Sequence, residues 1–321
     1  MRVLVTGANG FIGRALANRL LSAGCAGRQV DEIVACDLEV NGLATDARLR
    51  PVAGSLAEHD VLLRALDAPV DVAFHLASVP GGAAERDPVL SRRVNLDATA
   101  QLVEQLQRQP RRARLVFAST VAVYGDRLPA LVDDDTPAQP AMTYGAHKLA
   151  AEILIADAAR RGGITACSLR LPGVVARPED GAGLVSAFMS QLFWKLRAGE
   201  RIVLPVRATG TAWWISIAAC VDNLLHAASV EDEATGPRRV VQMPALYASM
   251  SAVVEALAGT YGDDRRDLVR FEPQDHVQRL FASYPPLRTA RAEALGFHHD
   301  GDLDTLARRA TEMTTMDLMQ G

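Results

Sequence analysis

Three glycines spaced three apart, Gly7, Gly10 and Gly13 in LVTGANGFIG, stand immediately after a short apolar run. The run RVLVT (Arg2 to Thr6) reads as a buried strand. The stretch after it, FIGRALANRLLSAG, puts Ile12, Leu16, Leu20 and Leu21 on one helical face and Gly24 at the stop. A strand that turns directly into a helix aims backbone N–H groups and the positive end of the helix dipole at one spot. That spot suits a pyrophosphate. Gly7 allows the tight turn, Gly10 lets the backbone approach phosphate, and Gly13 lets the helix pack close to the strand. Glycines with this spacing also serve ordinary capped loops, so context has to decide. A second apolar run, EIVACD, ends in Asp37. Its carboxylate can accept hydrogen bonds from adenosine ribose hydroxyls and would repel a 2′-phosphate, which favours NAD over NADP. A plain loop carboxylate is the alternative reading of Asp37.

Strand and helix patterns keep alternating. DVAFHLA follows a helix near His59 to Leu66, and LSRRVNLDATAQLVEQLQ reads as one long helix. RLVFAS is a strand, YGAHKLAAEILIADAARR a helix and TACSLRL a further strand. Such alternation predicts an α/β fold, a doubly wound parallel sheet of Rossmann type covered on both faces. Beyond Pro172 prolines and loops become denser, with one apolar helix expected over Leu184 to Leu196. The expected organisation is an NAD-binding domain over 1–172 and a smaller α/β substrate-binding part over 173–321, with the chain crossing back between them.

Composition narrows the class. The chain has 321 residues and a formal net charge of −4. The basic cluster Arg111, Arg112, Arg114 is short and lacks aromatics, unlike the broad basic face of a nucleic-acid binder. Cys25, Cys36, Cys167 and Cys220 are scattered without CxxC pairing, which suits reduced thiols in a cytoplasm. No apolar run has membrane-spanning length, and no signal-peptide pattern opens the chain. No His, Cys, Asp or Glu cluster has metal-ligand spacing, so no metal is expected.

YGAHK sets Tyr144 and Lys148 four apart at a helix start, on one face and one turn from each other. A free tyrosine ionises near ~10, too high for a base at neutral pH. A neighbouring ammonium lowers that value, so Tyr144 can exchange a proton with a substrate hydroxyl while Lys148 tunes it and holds the nicotinamide ribose. A surface helix pair is the bland alternative for two such residues alone. ASTVAVYG, 20 residues earlier, ends a strand and brings the hydroxyls of Ser119 and Thr120 to the same sheet edge. His75 in HLAS reads as structural, and His147 turns away from the Tyr–Lys face.

Taken in order, TGxxGxxG, the acid Asp37, HLAS (His75 to Ser78), Asn95 in VNLDAT, ASTVAVYG, YxxxK and RLP (Arg170 to Pro172) cover residues 3 to about 178. This set resembles the extended short-chain dehydrogenase/reductase superfamily, the NAD-dependent epimerases and dehydratases. The resemblance implies that Gly7, Asn9, Gly10, Phe11, Ile12 and Gly13 line the pyrophosphate loop. It implies that Leu76, Ala77 and Ser78 lie along the cofactor, with Ser119 at the same edge. Asn95 supports the site through its helix, and Leu171 and Pro172 flank the nicotinamide. Thr120 takes the place of the catalytic hydroxyl beside Tyr144 and Lys148. Where that superfamily usually has Gly-Asp-Leu, with the Asp near adenine, this chain has Gly54-Ser55-Leu56; the resemblance implies that Ser55 and Leu56 lie at the cofactor, with Ser55 able to hydrogen-bond but without a charge. The superfamily also implies a homodimer through the helices over 88–108 and 143–161.

The substrate is read from the remainder. The RDFxxVxD stretch that clamps nucleotide diphosphates is here TAWWISIAACVDN, without the Arg, and Thr120 is followed by Val121-Ala122 rather than a dehydratase Asp-Glu. Losing that cation argues against a diphosphate. RVNLDAT, VAVYGDRLP, LRLPGVVARP and NLLHAA together resemble the superfamily members that oxidise the C2 hydroxyl of a four-carbon sugar acid with NAD. Ser78, Gly81, Gly82, Thr120, Thr143, Tyr144 and Arg177 are the expected substrate residues, Arg177 for the carboxylate. The bland alternatives are an Arg177 pair with Glu179 or Asp180 and a simple turn at Gly81-Gly82. Trp213 and Trp214 could line the pocket, but at least one is expected to fill a core. A sugar-nucleotide epimerase is the second hypothesis. A non-catalytic NAD-sensing protein is the third, opposed by the presence of both Tyr144 and Lys148.

Overall fold

The computed structural model describes residues 1–178 and 185–318. They fall into two compact units. One holds Met1–Gly125, Pro137–Leu171 and Val221–Gln242, the other Asp126–Thr136, Pro172–Cys220 and Met243–Gly321.

The chain begins β1 (Arg2–Thr6), α1 (Phe11–Ala23), β2 (Glu32–Asp37), β3 (Leu49–Ala53), α2 (His59–Ala65) and β4 (Val72–His75). It continues α3 (Gly81–Arg86), α4 (Pro88–Arg92), α5 (Ala98–Gln107), β5 (Arg114–Thr120), α6 (Thr143–Arg160) and β6 (Thr165–Leu171). Next come β7 (Gly173–Val175), α7 (Ala187–Ala198), β8 (Ile202–Leu204), β9 (Thr211–Ser216) and α8 (Ile217–Ala227). The last stretch is β10 (Val240–Gln242), β11 (Leu246–Ser249), α9 (Met250–Tyr261), β12 (Val269–Phe271), α10 (Asp275–Phe281), α11 (Ala290–Ala294) and α12 (Leu303–Leu318).

In the first unit a seven-stranded sheet runs in the order β10-β6-β5-β4-β1-β2-β3. Every paired neighbour is parallel. The order reverses between β1 and β4, and a doubly wound sheet opens its ligand crevice at that reversal, outside the carboxyl strand ends. The register brings those ends together: Thr6 lies beside Cys36 and His75, and His75 beside Phe117. Continuous apolar runs fill these strands because both faces are covered. Leu4, Val34, Ala73, Leu115 and Phe117 are buried with Leu102, Leu106 and Ile155 from the helices. Each such large side chain contributes roughly 1.5–3 kcal/mol on burial.

On α1 the expected face is only partly the buried one. Leu16 and Leu20 are buried with Phe11, Ala15 and Ala17, while Ile12 and Leu21 stay half-buried. The long helix expected near 88–108 is α4 and α5 joined through a π-helical turn at Arg93–Asp97.

The seventh strand, β10, has no counterpart in the sequence reading. It is three residues long and is placed by a buried ion cluster. Asp232 accepts from the Ala166 N–H at 2.8 Å and from Arg239 Nε at 2.9 Å, with Arg114 Nη1 at 3.5 Å. Arg114 also donates twice to the Ala227 carbonyl, at 3.0 and 2.7 Å.

In the second unit β9 pairs antiparallel with β11 and parallel with β7, and β12 pairs with β8. Helix α7 spans Ala187–Ala198 where Leu184 to Leu196 was expected, and Leu184 lies outside the described residues. Both tryptophans pack. Trp213 donates to the Pro285 carbonyl at 2.7 Å and sits 4.7 Å from the Tyr284 ring, while Trp214 donates to the Ala248 carbonyl at 3.2 Å. The segment 126–136 is tied to this unit by Val132, whose N–H donates to Pro286 at 3.0 Å and whose carbonyl accepts from Arg288 at 2.9 Å.

Candidate active site

The loop after β1 is built almost entirely from backbone. The Gly7 and Ala8 N–H groups donate to the Cys36 carbonyl, at 2.9 and 3.3 Å, and Gly10 donates to Gly7. Gly7 has φ +70°, and a Cβ there would lie 2.7 Å from the Ala77 nitrogen. A Cβ on Gly13 would fall 2.0 Å from the Gly7 carbonyl oxygen. At Gly10 the space is open apart from that same oxygen at 3.3 Å. Gly10 caps α1 with no side-chain hydrogen bond and no acid follows in the first turn, so Phe11 and Ile12 open a helix end of positive potential.

Asp37, at the end of β2, accepts from the Asn9 N–H at 2.8 Å and from its neighbour Leu38 at 2.7 Å. Asn9 Oδ1 is buried beside this loop without a partner among the described residues. A glycine cradle, an uncapped helix start, an oriented acid and an orphaned amide oxygen together fit the diphosphate and ribose of NAD. Ser55 holds its own turn, accepting from the Ala57 N–H at 3.3 Å. Leu56 is 5% exposed and packs in the core with Val34 and Val61, so its side chain faces the sheet.

The next strand end carries a continuous hydrogen-bond chain. Thr6 Oγ1 accepts from the Ala77 N–H at 3.3 Å and meets His75 Nδ1 at 2.7 Å. His75 Nε2 meets Thr99 Oγ1 at 2.8 Å, and Thr99 donates to the Asn95 carbonyl at 2.9 Å. With the Thr99 proton committed, His75 donates from Nε2 and accepts at Nδ1. Burial, reinforced by Lys148, pushes His75 down to about 3, so the ring is neutral and structural.

Asn95 lies in the π-helical turn and is fully buried. Its amide clamps the Val79 peptide on both sides, accepting from Val79 N–H at 2.7 Å and donating to Val79 O at 2.9 Å. It acts on the loop that carries Leu76, Ala77 and Ser78. Gly81 and Gly82 begin α3. A Cβ on Gly81 would lie 4.0 Å from Tyr144 Cδ1, so this glycine adjoins the tyrosine ring. The Thr143 N–H donates to Glu85 at 2.5 Å, which anchors the first turn of α6.

Gly145 lets α6 approach the turn after β5: a Cβ there would sit 2.5 Å from the Ala122 carbonyl oxygen. Thr120 caps that turn by accepting from the Ala122 N–H at 3.1 Å. Thr120 and Tyr144 are thereby held on adjoining segments. Lys148 is buried, with Nζ donating to the Ala118 carbonyl at 2.8 Å, 4.5 Å from the Phe117 ring centre and 5.9 Å from that of Tyr144. His147 lies on another face, with Nδ1 2.9 Å from Ser91 Oγ.

Burial brings the Lys148 ammonium down to about 7 from 10.5, and Glu152 pulls the other way. Between those values the unfolded chain holds more protons than the folded one, so this lysine makes stability rise with pH from about 7 to 10.5. In Lys148→Met that contribution vanishes. The wild-type denaturation midpoint should therefore gain on the variant's across this window; a difference flat in pH would place the titration elsewhere.

Ser119 points inward, donating to Glu152 Oε1 at 2.5 Å. Leu171 ends β6, paired with Thr120. In the second unit Pro172 is buried, and Arg177 is half-buried with its N–H donating to Ser190 Oγ at 2.9 Å and its carbonyl accepting from Trp194 at 2.9 Å. Glu179 and Asp180, its alternative partners, lie outside the described residues. Sequence reasoning passed over Glu152 and the side chain of Arg170. The available signal was a carboxylate four residues after Lys148 on the same helical face.

Among the described residues no group of three or more His, Cys, Asp or Glu could hold a metal ion. No helix among them is long and apolar enough to cross a membrane.

Residues 3–241 match the model of the NAD dependent epimerase/dehydratase family. The chain is 35% identical over 318 residues to D-erythronate dehydrogenase of Cupriavidus necator, covering 97% of this chain and 98% of the relative. It is 28% identical over 315 residues to D-erythronate dehydrogenase of Haemophilus influenzae, covering 97% and 99%. A solved structure titled nucleoside-diphosphate-sugar epimerase, from Agrobacterium tumefaciens, superposes with a TM-score of 0.91 at 30% identity, over 97% of this chain and 94% of that one.

Proposed function

The chain belongs to the NAD dependent epimerase/dehydratase family, and we propose that it oxidises the C2 hydroxyl of a short sugar acid, D-erythronate, to 2-oxo-tetronate. It is an NAD-dependent oxidoreductase. The observation that carries the proposal is the Tyr144 ring standing 5.9 Å from the buried Lys148 ammonium, in a chain that aligns nearly end to end with D-erythronate dehydrogenases.

NAD, when bound, supplies the nicotinamide that accepts the hydride. Asp37, the amides opening α1 and the 76–78 loop hold and orient it. Tyr144 Oη takes the proton of the reacting hydroxyl, with the Lys148 charge favouring the phenolate. Thr120 Oγ1 orients the substrate oxygen and donates to it as charge develops. Ser78, Gly81, Gly82 and Thr143 border the substrate, and the Arg177 guanidinium pairs with its carboxylate. In this reading 1–172 carries NAD binding and 173–321 most of the substrate contacts. The enzyme works in the cytoplasm as a homodimer. Exposed apolar side chains on α6, Ile153 at 64% and Leu154 at 42%, support that association, and a solution mass of two chains tests it.

The likeness to a nucleoside-diphosphate-sugar epimerase supports a second reading, in which the hydride returns to a sugar nucleotide. One assay separates the two. Purified protein with NAD is offered D-erythronate, L-threonate, longer aldonates, uronates and UDP-sugars. NADH should accumulate with a four-carbon acid. UDP-sugars interconverting without net NADH, and silence on the acids, would put the epimerase reading in its place.

A further inference from the structure

Beneath the Tyr–Lys pair lies a group of buried charges that the acid–base roles leave unused. Glu152, 3% exposed, is one helical turn beyond Lys148 on α6. Arg170 on β6 grips it with two bonds, Nε to Oε1 at 3.0 Å and Nη2 to Oε2 at 2.8 Å. Ser119 on β5 adds a third bond to Oε1. The Arg170 guanidinium in turn lies 5.0 Å from the Tyr124 ring centre. The carboxylate is therefore fixed in orientation by two strands.

We propose that Glu152 is a positioning residue that lets Lys148 hold its proton to higher pH than burial alone would allow, so that the lysine can stabilise the Tyr144 phenolate. The proposal rests on the acid–base reading of Tyr144 given above.

The argument is one of charge balance in a dry site. An isolated buried ammonium sheds its proton rather than bear the cost of desolvation. Among the described residues Lys148 has one neutral acceptor, the Ala118 carbonyl, and two aromatic faces. Glu152 is the charged group that raises its proton affinity. Arg170 is committed to Glu152 by two bonds, so Lys148 is the cation beside the Tyr144 ring. Its charge favours the phenolate only while the lysine holds its proton, and Glu152 is what helps it do so.

Of the other groups around Lys148, His75 from β4 is neutral at working pH and the Ser119 hydroxyl from β5 carries no charge. Helices α3, α4 and α5 and the π-helical turn between the last two also pack on α6, and Glu85, Arg92 and Asp97 there bear on His147 on a different face.

The test is a spectrophotometric titration of the full-length protein at the phenolate band, with Tyr144→Phe subtracted to isolate Tyr144. In Glu152→Gln the Tyr144 midpoint should rise by about 1 pH unit or more. The acid limb of kcat/KM should move by the same amount, about a tenfold loss on that limb. Glu152→Asp, which keeps the charge, should restore most of the shift. Glu152→Gln leaves Arg170 buried without its counter-ion and could prevent folding. The double change Glu152→Gln with Arg170→Gln leaves no guanidinium buried without its counter-ion and should show the same rise.

An unmoved midpoint in the folded variants, even with lower activity, would overturn the proposal and leave Glu152 a purely structural group. A wild-type titration in which Tyr144 contributes nothing below pH ~10 would overturn the acid–base reading itself, a different result from an unmoved midpoint.

Discussion

Tyr144→Phe should abolish turnover, lowering kcat by about 10²–10⁴-fold, the range expected when a positioned acid–base group is removed. The ring stays, so its packing against the Gly81 segment and its place above the Lys148 ammonium stay too. Only the hydroxyl is lost, and with it the atom to which the proposed function assigns the substrate proton. NAD affinity should change by less than about threefold, because the phosphate and ribose contacts lie at the ends of β1 and β2. The acid limb of the pH profile should flatten, since the group that titrates there is gone. Stopped-flow measurement of hydride transfer with equilibrium binding of NAD separates these quantities. A variant that keeps the wild-type rate would remove Tyr144 from the chemistry.

Gly13→Ala should cost both stability and cofactor. The added methyl would lie 2.0 Å from the Gly7 oxygen and 2.8 Å from the Ala8 Cα, all backbone with no rotamer to yield. Helix α1 would have to tilt away from β1, and overpacking of this kind costs about 1–3 kcal/mol or more. The tilt also displaces the uncapped helix start that suits a diphosphate, so NAD affinity should fall at least about 100-fold, a loss of roughly 3 kcal/mol in binding. Gly10→Ala makes the contrast. Its methyl meets only the Gly7 oxygen at 3.3 Å. It should leave thermal stability near wild type and still weaken NAD binding, because it occupies the side from which phosphate approaches. Equal stability losses in the two variants would mean that Gly13 is not a packing glycine.

These two experiments probe residues that were legible before any coordinates. The glycine loop, Asp37 and the Tyr–Lys pair are local patterns: a turn, a strand end and one helical turn, each complete within a few residues. Parallel strands buried on both faces also announce themselves as apolar runs. Other expectations changed on folding. Leu56 reads as cofactor-binding from a tripeptide, and its side chain lies in the core with Val34 and Val61. Asn95 was placed by its helix alone, and the structure gives the reason it matters, two hydrogen bonds to the Val79 peptide 16 residues away. The helix over 88–108 looked continuous because apolar spacing does not register the extra residue of a π-turn.

Local sequence thus sufficed to mark the candidate site: a glycine turn suited to phosphate, an acid at the end of β2, a tyrosine with its lysine. Tertiary structure alone decided what surrounds that chemistry. Glu152 meets Arg170 across 18 residues and Ser119 across 33, and β10 joins the sheet through an aspartate 66 residues from the Ala166 N–H it accepts. The physical reason is range. Backbone propensity and side-chain periodicity act over one or two turns, whereas a buried charge is tolerable only beside partners that arrive from other elements once the sheet has closed.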